Sequence, residues 1–595
     1  MDRPAGGDPL NPHGTVRYRA DVTRAEDGAD EGVLWSLDRA HFPAPVTRWS
    51  SALFTTTQTE VIHQLMAESG MLLDGIAYRE VDGWIYRAVV PLGGRPHQPV
   101  PRWMVPVLCR TRPALRKRLA AAHAADVSDQ TGTTVTRWRG GEEDLLRERG
   151  LGYLAGELTA LTPRQVGARL EEQLRFVTEC LTWHIRLHAA TADAIGRLGL
   201  DLTANRGWTL PEFMDLFVGL SDATLGPADV QQAIVERIRE SGGLEKLAGA
   251  RTLAEVAEIS PDVADELQRF QEIWGLRTVR YEVAHPTVAD RPDLLLRTLK
   301  EAAHAPVDAG RNSRHAERRR VAEARAIASL GNSSWTRRRL ARAREAFPTR
   351  EGNEATTIDV PLAGLRRLGL QLGERLGLDR ADDVFDLTFQ EVLASLRDPA
   401  GGGALAAVAR SRRLLRQHQA RHRPEEALGE RASGLTTLPA GAPDLRGFPR
   451  YAAEQLAALL WYEDQITPPV EAGGPPIPRP DRASPGVDHP DVSGLGASPG
   501  VYEGPARVVR DEADFARIRP GEVVVCPIAS PVWSMVLPSI GALVCDRGGI
   551  MSHPAIIARE FGRPAVVATS NATRSIVDGV RVRVDGDTGK VTLLT

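Results

Sequence analysis

The residues best suited to chemistry lie near the C-terminus, in the segment CDRGGIMSHPAIIAREFGRPAVVA at 545–568. A short apolar run leads into two consecutive glycines, and a histidine follows a few residues later. Ser552 is a favourable N-cap and Pro554 fits the first turn of a helix, while Gly562 and a following proline would end it. The pattern therefore predicts that His553 lies on the first turn of a short helix behind a glycine-rich loop.

This location suits the transfer of a phosphoryl group through His553. The first helical turn presents backbone N–H groups and a partial positive charge, both of which favour an anion. A neutral imidazole is a competent nucleophile near pH 7. We expect the phosphate to be bound by Arg547, Gly548, Gly549 and Ser552. The alternative is a histidine that only caps the helix and performs no chemistry.

Three further groups of residues are candidates for a substrate site. His184 and His188 are four residues apart, on one face of a predicted helix, and would line a pocket, bind a metal or only pack against a neighbour. Arg277 and Glu282 share a loop, where Glu282 would act as a general base on a hydroxyl acceptor or pair internally with the arginine. His41, with Asp38 and Arg39 before it, is a further pocket candidate. We expect no metal site.

The elements that must position these residues fall into five stretches. Residues 1–30 have the composition of a loose tail, and 31–102 form a small mixed region with a hairpin turn at Asp82-Gly83. Residues 103–463 carry apolar residues at helical spacing. Residues 464–493 are dense in Pro and Gly and predict a linker. Residues 494–595 contain short β-branched runs at 506–509, 522–526, 542–545, 565–568 and 580–586, which predict a strand-rich domain.

Composition excludes several classes of protein. The 595 residues include 74 Lys and Arg against 77 Asp and Glu, so the balanced charge argues against general attraction to nucleic acid or to an anionic membrane. The four cysteines form no CxxC pair, which fits a reducing cytoplasm. A basic stretch at 311–344 has three interpretations: a solvated helix face, a phosphate-facing arginine cluster or, least favoured, a nucleic-acid surface.

The C-terminal segment resembles a known family. GGIMSHPAIIAREFGRPAVV resembles the phosphohistidine signature of the PEP-utilising enzymes, which include phosphoenolpyruvate synthase, pyruvate phosphate dikinase and rifampin phosphotransferase. The segments ASPGVYEGPARVV, GEVVVCPIASPVWSMVLPSIGALVCDRGG and VRVRVDGDTGKVTLL are similar to the same family, in the same order. Pro554 departs from it, because alanine is usual there. The resemblance implies a swivelling β/β/α domain with His553 as the phosphorylated residue.

A weaker resemblance extends upstream. WSLDRAHFPAPVTRWSSALF at 35–54 and ADDVFDLTFQEV at 381–392 look like parts of the substrate region of rifampin phosphotransferase-like proteins. WGLRTVRYEVAHP at 274–286 is similar to another motif of that region, although Leu276 stands where histidine is usual. TREGNEA at 349–355 looks like a pocket element, which adds Arg350 and Glu351 to the substrate-site candidates.

The resemblance implies a multidomain α+β protein with a largely helical substrate region. It also implies an ATP-grasp module and a PEP/pyruvate barrel, and we find the motifs of neither. The expected partners are therefore a separate ATP-grasp protein that supplies ATP and Mg²⁺ chemistry, and a small-molecule acceptor, with no nucleic acid, no membrane and no tightly bound cofactor.

Three functions remain open on the sequence alone. The first is transfer of phosphate to a small organic acceptor. The second is transient phosphorylation of a substrate that then undergoes dehydration, condensation or cyclisation, as in prodigiosin-type condensing relatives. The third is a non-catalytic protein that binds a ligand or a partner.

Overall fold

The computed structural model describes residues 33–93, 101–278, 280–304, 310–398, 402–429, 445–467, 492–510, 512–529 and 531–594. The expected tail at 1–30 and most of the expected linker at 464–493 lie outside these ranges. The chain folds into two compact units built from interleaved segments. The first comprises residues 1–193, 276–287 and 352–457, and the second comprises 194–275, 288–351 and 458–595. The α+β class is confirmed.

Helices dominate the described part of the chain, as the helical spacing at 103–463 predicts. The helices that begin in the first unit are Arg48–Ser51, Gln58–Glu68, Val105–Thr111, Pro113–Val127, Gln130–Arg137, Glu143–Leu154, Pro163–Gly199, Val360–Arg375, Phe389–Arg397, Gly402–Gln419 and Arg450–Ile466. Those that begin in the second are Leu210–Met214, Asp222–Glu240, Leu244–Gly249, Leu253–Ala257, Pro261–Trp274, Pro292–Ala302, Arg311–Leu330, Ser334–Glu354, His553–Glu560 and Ala572–Ser575.

Shorter helical segments interrupt or extend this pattern. π-helical turns occur at Ala52–Thr57, Trp138–Glu142, Leu200–Ala204 and Ala355–Asp359. 3₁₀ turns occur at Arg102–Met104, Ala381–Asp386, Glu512–Arg517, Pro531–Met535 and Leu537–Ser539. The apolar spacing predicts continuous helices over 253–274 and 318–347, and the structure divides both. Ser260 caps a new helix that starts with Pro261, and Gly331, at φ +84°, separates Arg311–Leu330 from Ser334–Glu354.

The first unit holds a four-stranded antiparallel sheet. Its strands are β1 (Trp35–Leu37), β2 (Leu73–Val81), β3 (Trp84–Pro91) and β4 (Ala427–Leu428), in the order β2-β3-β1-β4. Asp82 and Gly83 both have positive φ, at 51° and 81°, which is the two-residue turn that the sequence predicts. The main core of this unit surrounds the fully buried Trp49, whose ring packs against Phe385 and Phe389.

The second unit contains an eight-stranded mixed sheet. Its strands are β5 (Val492–Ser493), β6 (Leu495–Ser498), β7 (Val501–Val508), β8 (Val523–Cys526), β9 (Ala542–Cys545), β10 (Ala565–Val567), β11 (Arg581–Asp585) and β12 (Lys590–Leu594). The order is β5-β12-β11-β7-β8-β9-β10-β6, with β7, β8, β9 and β10 parallel. All five predicted β-branched runs are strands here, because their valines form the buried core of the sheet.

The basic stretch at 311–344 is used for ion pairs within the second unit. The pairs are Arg311 with Asp229, Arg318 with Asp215, Arg325 with Glu212, Arg339 with Asp201 and Arg344 with Glu323. Because these arginines have carboxylate partners, the stretch fits a structural helix surface better than a phosphate-facing cluster. No helix of the described ranges is long and apolar enough to cross a membrane.

Close helix packing in the first unit depends on Gly373. A Cβ atom at this position would lie 2.0 Å from the backbone oxygen of Ala381, which cannot move independently of its own turn. We predict that Gly373→Ala lowers the free energy of unfolding by about 1–3 kcal/mol through overpacking. Gly152, inside the helix Glu143–Leu154, has no atom within 4 Å of such a Cβ and is the matched control. Gly152→Ala is expected to raise it by about 0.5–1 kcal/mol. Urea denaturation of both variants measures the two changes, and equal effects would contradict the packing argument.

Candidate functional site

His553 occupies the position that the sequence predicts. The strand β9 ends at Cys545, and the helix His553–Glu560 begins directly after Ser552, which has the extended backbone of an N-cap (φ −76°, ψ 157°). Gly548 has φ +105° and Gly562 has φ +61°, so these two glycines adopt conformations that other residues rarely take. The His553 side chain is 24 % exposed. The fold therefore presents this imidazole at the start of a helix, within reach of a ligand.

The Ser552 hydroxyl performs a different task from the one expected. It makes no hydrogen bond to the N–H groups of the helix, although Ser552 is the N-cap residue. It donates instead to the backbone oxygen of Gly549, at 2.7 Å. This bond closes the loop between the glycines and the helix. Ser552 thus stabilises the loop that precedes His553, and its contact with phosphate stays a prediction.

A buried carboxylate orients the His553 imidazole. Glu351 Oε2 lies 3.4 Å from His553 Nδ1, and the Glu351 side chain is only 3 % exposed. Arg350 holds this carboxylate through a 2.7 Å bond to Oε1, contacts the Met551 oxygen at 3.3 Å and lies over the Tyr462 ring. A carboxylate at Nδ1 favours the proton on that nitrogen and leaves the lone pair on Nε2. The contact therefore fits the predicted role of His553 as a nucleophile that reacts through Nε2.

The loop 546–552 before His553, called the glycine loop here, is bound to the end of the helix Arg450–Ile466. The residues of this helix from 458 onward belong to the second unit, as the loop does. Gly549 N–H donates to the Ile466 oxygen and Met551 N–H donates to the Gln465 oxygen, both at 2.9 Å. These oxygens belong to the last turn of Arg450–Ile466, whose carbonyls lack partners within the helix. Of the two glycines expected to bind phosphate, Gly549 therefore has its N–H occupied in this conformation. Phosphate could use that N–H only after the loop leaves the helix end.

The loop is also fixed on its other side. The Asp546 carboxylate accepts hydrogen bonds from the Thr569 hydroxyl and from the backbone and hydroxyl of Thr573. The next residue, Arg547, donates its backbone N–H to the Pro527 oxygen at 3.0 Å. Arg547 thus lies at the start of the glycine loop, and its role toward phosphate stays a prediction.

The far end of the His553 helix carries a second buried acid. Both Glu560 oxygens accept the Gly219 N–H at 2.8 Å, and Oε2 lies 3.5 Å from His315 Nδ1. Burial raises the pKa of Glu560 to about 7, although Gly219 and the neighbouring arginines oppose the rise. Burial and the same arginines lower the pKa of His315 to about 4. The helix is therefore held at both ends by buried polar groups.

The first unit contains a separate polar cluster around His184. His184 Nδ1 lies 2.9 Å from Asn353 Oδ1 and 3.2 Å from the Thr357 hydroxyl, which itself donates to Asn353 Oδ1. Burial lowers the pKa of His184 to about 4, although the negative charge of Glu354 opposes the fall. His188 and His41 lie close enough to lower this pKa further. His184 is therefore neutral at physiological pH.

His41 and Tyr281 extend this cluster. The Asp38 carboxylate contacts His41 Nδ1 through both oxygens, at 3.0 and 2.9 Å. The His41 ring meets the edge of the Tyr281 ring at 5.4 Å between centroids, and the Tyr281 hydroxyl donates to Glu354 Oε1 at 2.8 Å. The three predicted histidines of the substrate site are thus brought together in one unit.

Glu282 and Arg277 make separate contacts rather than pairing with each other. Glu282 accepts hydrogen bonds from the Thr47 N–H at 3.0 Å, the Thr47 hydroxyl at 2.6 Å and the Ser50 hydroxyl at 2.7 Å. The guanidinium of Arg277 lies 3.9 Å from Asp359, whose pKa burial raises to about 6. These contacts let Glu282 fix its loop to the helix Arg48–Ser51. Its action as a base, and that of Arg277 on the acceptor, stay predictions.

The structure divides the predicted substrate set in two. His41, His184 and His188 lie in the first unit, whereas Arg350 and Glu351 contact the His553 region of the second. The sequence reasoning missed Tyr281, Glu354 and Asp359. Two of them lie inside segments that the sequence analysis already singled out. Tyr281 precedes Glu282 in the motif at 274–286, and Glu354 lies inside TREGNEA.

Comparison with known proteins bears directly on the C-terminal domain. Residues 518–589 match the family described as PEP-utilising enzyme, mobile domain. The second unit carries that mobile domain. A rifampicin phosphotransferase of Streptomyces sviceus is 44 % identical over 110 residues, and an uncharacterised phosphotransferase of Bacillus subtilis, YvkC, is 42 % identical over 104. The resemblance to PEP-utilising enzymes is thereby confirmed.

These matches cover limited parts of both chains. Each of the two phosphotransferase matches covers 18 % of this chain, and 13 % and 12 % respectively of the relatives. A chondramide synthase of Chondromyces crocatus is 34 % identical over 234 residues, which is 39 % of this chain and 5 % of the synthase. Because 234 residues exceed the 102 residues of 494–595, that match also includes residues outside the mobile domain.

Gly548 combines a positive φ with a close approach to Ser552 in the loop before His553. A Cβ here would lie 2.6 Å from the Ser552 hydroxyl oxygen, in a backbone with φ +105°. We predict that Gly548→Ala reduces the yield of phosphate on His553 at least about tenfold, because it disturbs the closed loop, and that it lowers stability by about 1–3 kcal/mol.

Gly579→Ala is the matched control for Gly548→Ala. Gly579 also has a positive φ, at 83°, but no atom lies within 4 Å of its Cβ direction. It shares the backbone strain without the loop contact, so its loss of stability should leave phosphorylation intact. Mass spectrometry of the intact protein measures the yield, and equal loss in both variants would contradict a specific role for the loop.

The environment of His184 predicts an unusual titration. Because its folded pKa is about 4 and its unfolded pKa is near 6.5, His184 gives up stability as the pH falls from 6.5 toward 4. We expect its imidazole NMR signals to stay unchanged between pH 8 and pH 5, and a His184→Asn variant assigns them. A titration midpoint above pH 6 would show that the ring is not in this buried, uncharged state.

Proposed function

We propose that this chain is a phosphotransferase component in which His553 carries a phosphoryl group from ATP to a small organic acceptor. The observation that supports it most strongly is the contact between Glu351 and His553 at the start of the mobile-domain helix. That contact prepares Nε2 as a nucleophile, which a capping histidine would not need. The relatives named as phosphotransferases support the same reaction class.

Each side chain around His553 has a defined task in this proposal. The Nε2 lone pair attacks the donor phosphorus, and the P–O bond to the leaving group breaks. Glu351 stabilises the imidazolium that results, since its charge faces the Nδ1 proton. Arg350 keeps Glu351 in place. When phosphate leaves, the P–N bond breaks, the electron pair returns to Nε2, and the ring is neutral again.

The proposal includes a donor that is a separate ATP-grasp protein. It would bind ATP and Mg²⁺, with the metal bridging the phosphates, while this chain binds neither tightly. Alternation between donor and acceptor requires the mobile domain to leave its present contacts, and a Pro-rich tether at 464–493 suits such movement. We place the reaction in the cytoplasm, on the evidence of the unpaired cysteines.

The acceptor in this proposal is a small natural-product-like molecule that binds the first unit. The cluster of His41, His184 and His188 offers the polar contacts, and the partly exposed Tyr281 ring beside His41 offers an aromatic face. The match with a chondramide synthase favours secondary metabolism and also a second candidate function. In this second function, the phosphate would activate a substrate hydroxyl or carboxyl for dehydration, condensation or cyclisation.

Phosphorylation of His553 tests the proposal. The chain is treated with phosphoramidate, which phosphorylates histidine without a partner, and separately with ATP, Mg²⁺ and a candidate ATP-grasp protein. We expect acid-labile phosphate on His553 and none in His553→Ala. Glu351→Gln should reduce the loading rate about tenfold or more, because the amide cannot neutralise the imidazolium.

A second histidine provides the control for this experiment. His63, on the helix Gln58–Glu68 of the first unit, is replaced by alanine and should leave loading unchanged. The mechanism is wrong if His553→Ala keeps its acid-labile phosphate, or if the wild-type chain gains none from either donor. The second result would favour a non-catalytic protein that binds a ligand or a partner. Product mass then separates the two enzymatic candidates, since one gains phosphate and the other loses water.

A further inference from the structure

Asp38 and His41 form a charge-assisted pair in the first unit. Both carboxylate oxygens of Asp38 contact His41 Nδ1, at 3.0 and 2.9 Å, and Oδ1 also accepts the His41 backbone N–H at 3.2 Å. The Asp38 side chain is 1 % exposed, whereas the His41 side chain is 38 % exposed. The pair therefore has a buried acid and a ring that reaches the surface.

The charge of Asp38 fixes the state of the ring. Burial alone would raise the pKa of Asp38, but the charge and hydrogen bonds of His41 and the charge of Arg87 outweigh it and bring the pKa to about 2. An ionised carboxylate at Nδ1 requires the proton on that nitrogen. Nε2 then carries the lone pair at the exposed edge of the ring, which is the arrangement of a general base held by a carboxylate.

The surroundings of His41 are aromatic on one side and polar on the other. Its ring lies 6.2 Å from the Phe42 ring, which in turn packs against Phe54 at 5.2 Å. Tyr281 meets His41 edge-on and joins it to Glu354. Phe42 and Phe54 are buried in the core, so a ligand would meet the exposed part of the His41 ring rather than these phenyl rings. An exposed basic nitrogen suits a molecule with one acidic proton to give up.

We propose that His41 is the general base of the acceptor reaction, and that the acceptor is phosphorylated on a hydroxyl group. This inference rests on the proposed function, since it assumes phosphate transfer from His553. It adds the identity of the base and the chemical class of the acceptor. A hydroxyl needs a base because it attacks poorly while it keeps its proton, whereas a carboxylate attacks without one.

In the transfer step, each bond that forms is matched by a bond that breaks. His41 Nε2 takes the proton of the acceptor hydroxyl, and the freed oxygen pair forms an O–P bond to the phosphoryl group. The P–Nε2 bond of phosphorylated His553 breaks, and its electron pair stays on that nitrogen. The products are a phosphate monoester, neutral His553 with its Nδ1 proton, and His41 as an imidazolium that Asp38 stabilises. No oxidant, reductant or further reactant is required.

The reactivity of His41 Nε2 tests the inference without knowledge of the acceptor. Diethyl pyrocarbonate acylates unprotonated imidazole, and peptide mapping after brief treatment of the full chain gives a rate for each histidine. The treatment is carried out at about pH 9, because at lower pH a neighbouring carboxylate also favours the protonated, unreactive imidazole. We expect His41 to react about threefold or more faster in the wild type than in Asp38→Asn, which keeps the shape and removes the charge. His63 and His123 serve as internal references, and their rates should be equal in both proteins.

Further measurements distinguish a failure of the base assignment from a failure of the proposed function. In the wild-type chain, ¹⁵N NMR should show His41 with its proton on Nδ1, and this result needs no variant to fold. Loading of His553 by phosphoramidate should be unchanged in Asp38→Asn and His41→Gln. Equal His41 rates with and without the Asp38 charge, or a proton on Nε2, overturn the base assignment while normal loading leaves the proposed function standing. Absent loading in the wild type removes the proposed function itself.

Discussion

The proposed reaction requires a histidine that offers one ring nitrogen to the phosphoryl group while the other is fixed, and the contacts around His553 in the second unit fit that requirement. The contact of Glu351 with His553 Nδ1 meets it directly. For the contact to exist, the imidazole has to project from the first turn of its helix, which depends on the turn at Gly548 and on the loop closed by Ser552. The parallel strands β8 and β9 supply the base for that loop, since residues 523–526 pair with residues 542–545 and both strands are buried along their whole length.

The same site is attached to its surroundings by bonds that are individually modest. The loop N–H groups of Gly549 and Met551 satisfy carbonyls at the end of Arg450–Ile466, and Glu560 at the other end of the His553 helix accepts the Gly219 N–H. Each such bond contributes about 0.5–1.5 kcal/mol net, because water replaces it when it opens. The movement that the proposed function requires would need contacts of this size, because such bonds can be exchanged for others without unfolding the domain.

Much of this fold and site could be predicted from sequence, for reasons that are local. The helix cap at Ser552, the hairpin turn at Asp82-Gly83 and the β-branched strands of the C-terminal domain depend on neighbouring residues, so their signals are contained in short segments. The placement of His553 followed from the same short-range rules. The helix breaks at Ser260 and Gly331 were missed because apolar spacing continues across them.

What the sequence could not show were pairings between distant segments. Glu351 was grouped with the histidines of the substrate site, whereas it contacts a residue 202 positions later in the chain, His553. Glu282 was considered with Arg277 because they are close in sequence, yet its partners are Thr47 and Ser50. Carboxylates take whichever donors the tertiary fold brings near, and no local rule specifies which segment that is.

His553, His41 and His184 are each partly exposed, and they differ in the partner that each imidazole contacts. A carboxylate stabilises the protonated ring, so the pairs Glu351–His553 and Asp38–His41 can each accept a positive charge during a reaction. His184 faces an amide and a hydroxyl, which offer no compensating charge, and burial therefore lowers its pKa to about 4. The reaction we propose uses one imidazole to bear the phosphate and another to take up a proton. The two carboxylate-backed rings suit these roles, whereas the amide-backed ring suits an uncharged hydrogen-bonding contact.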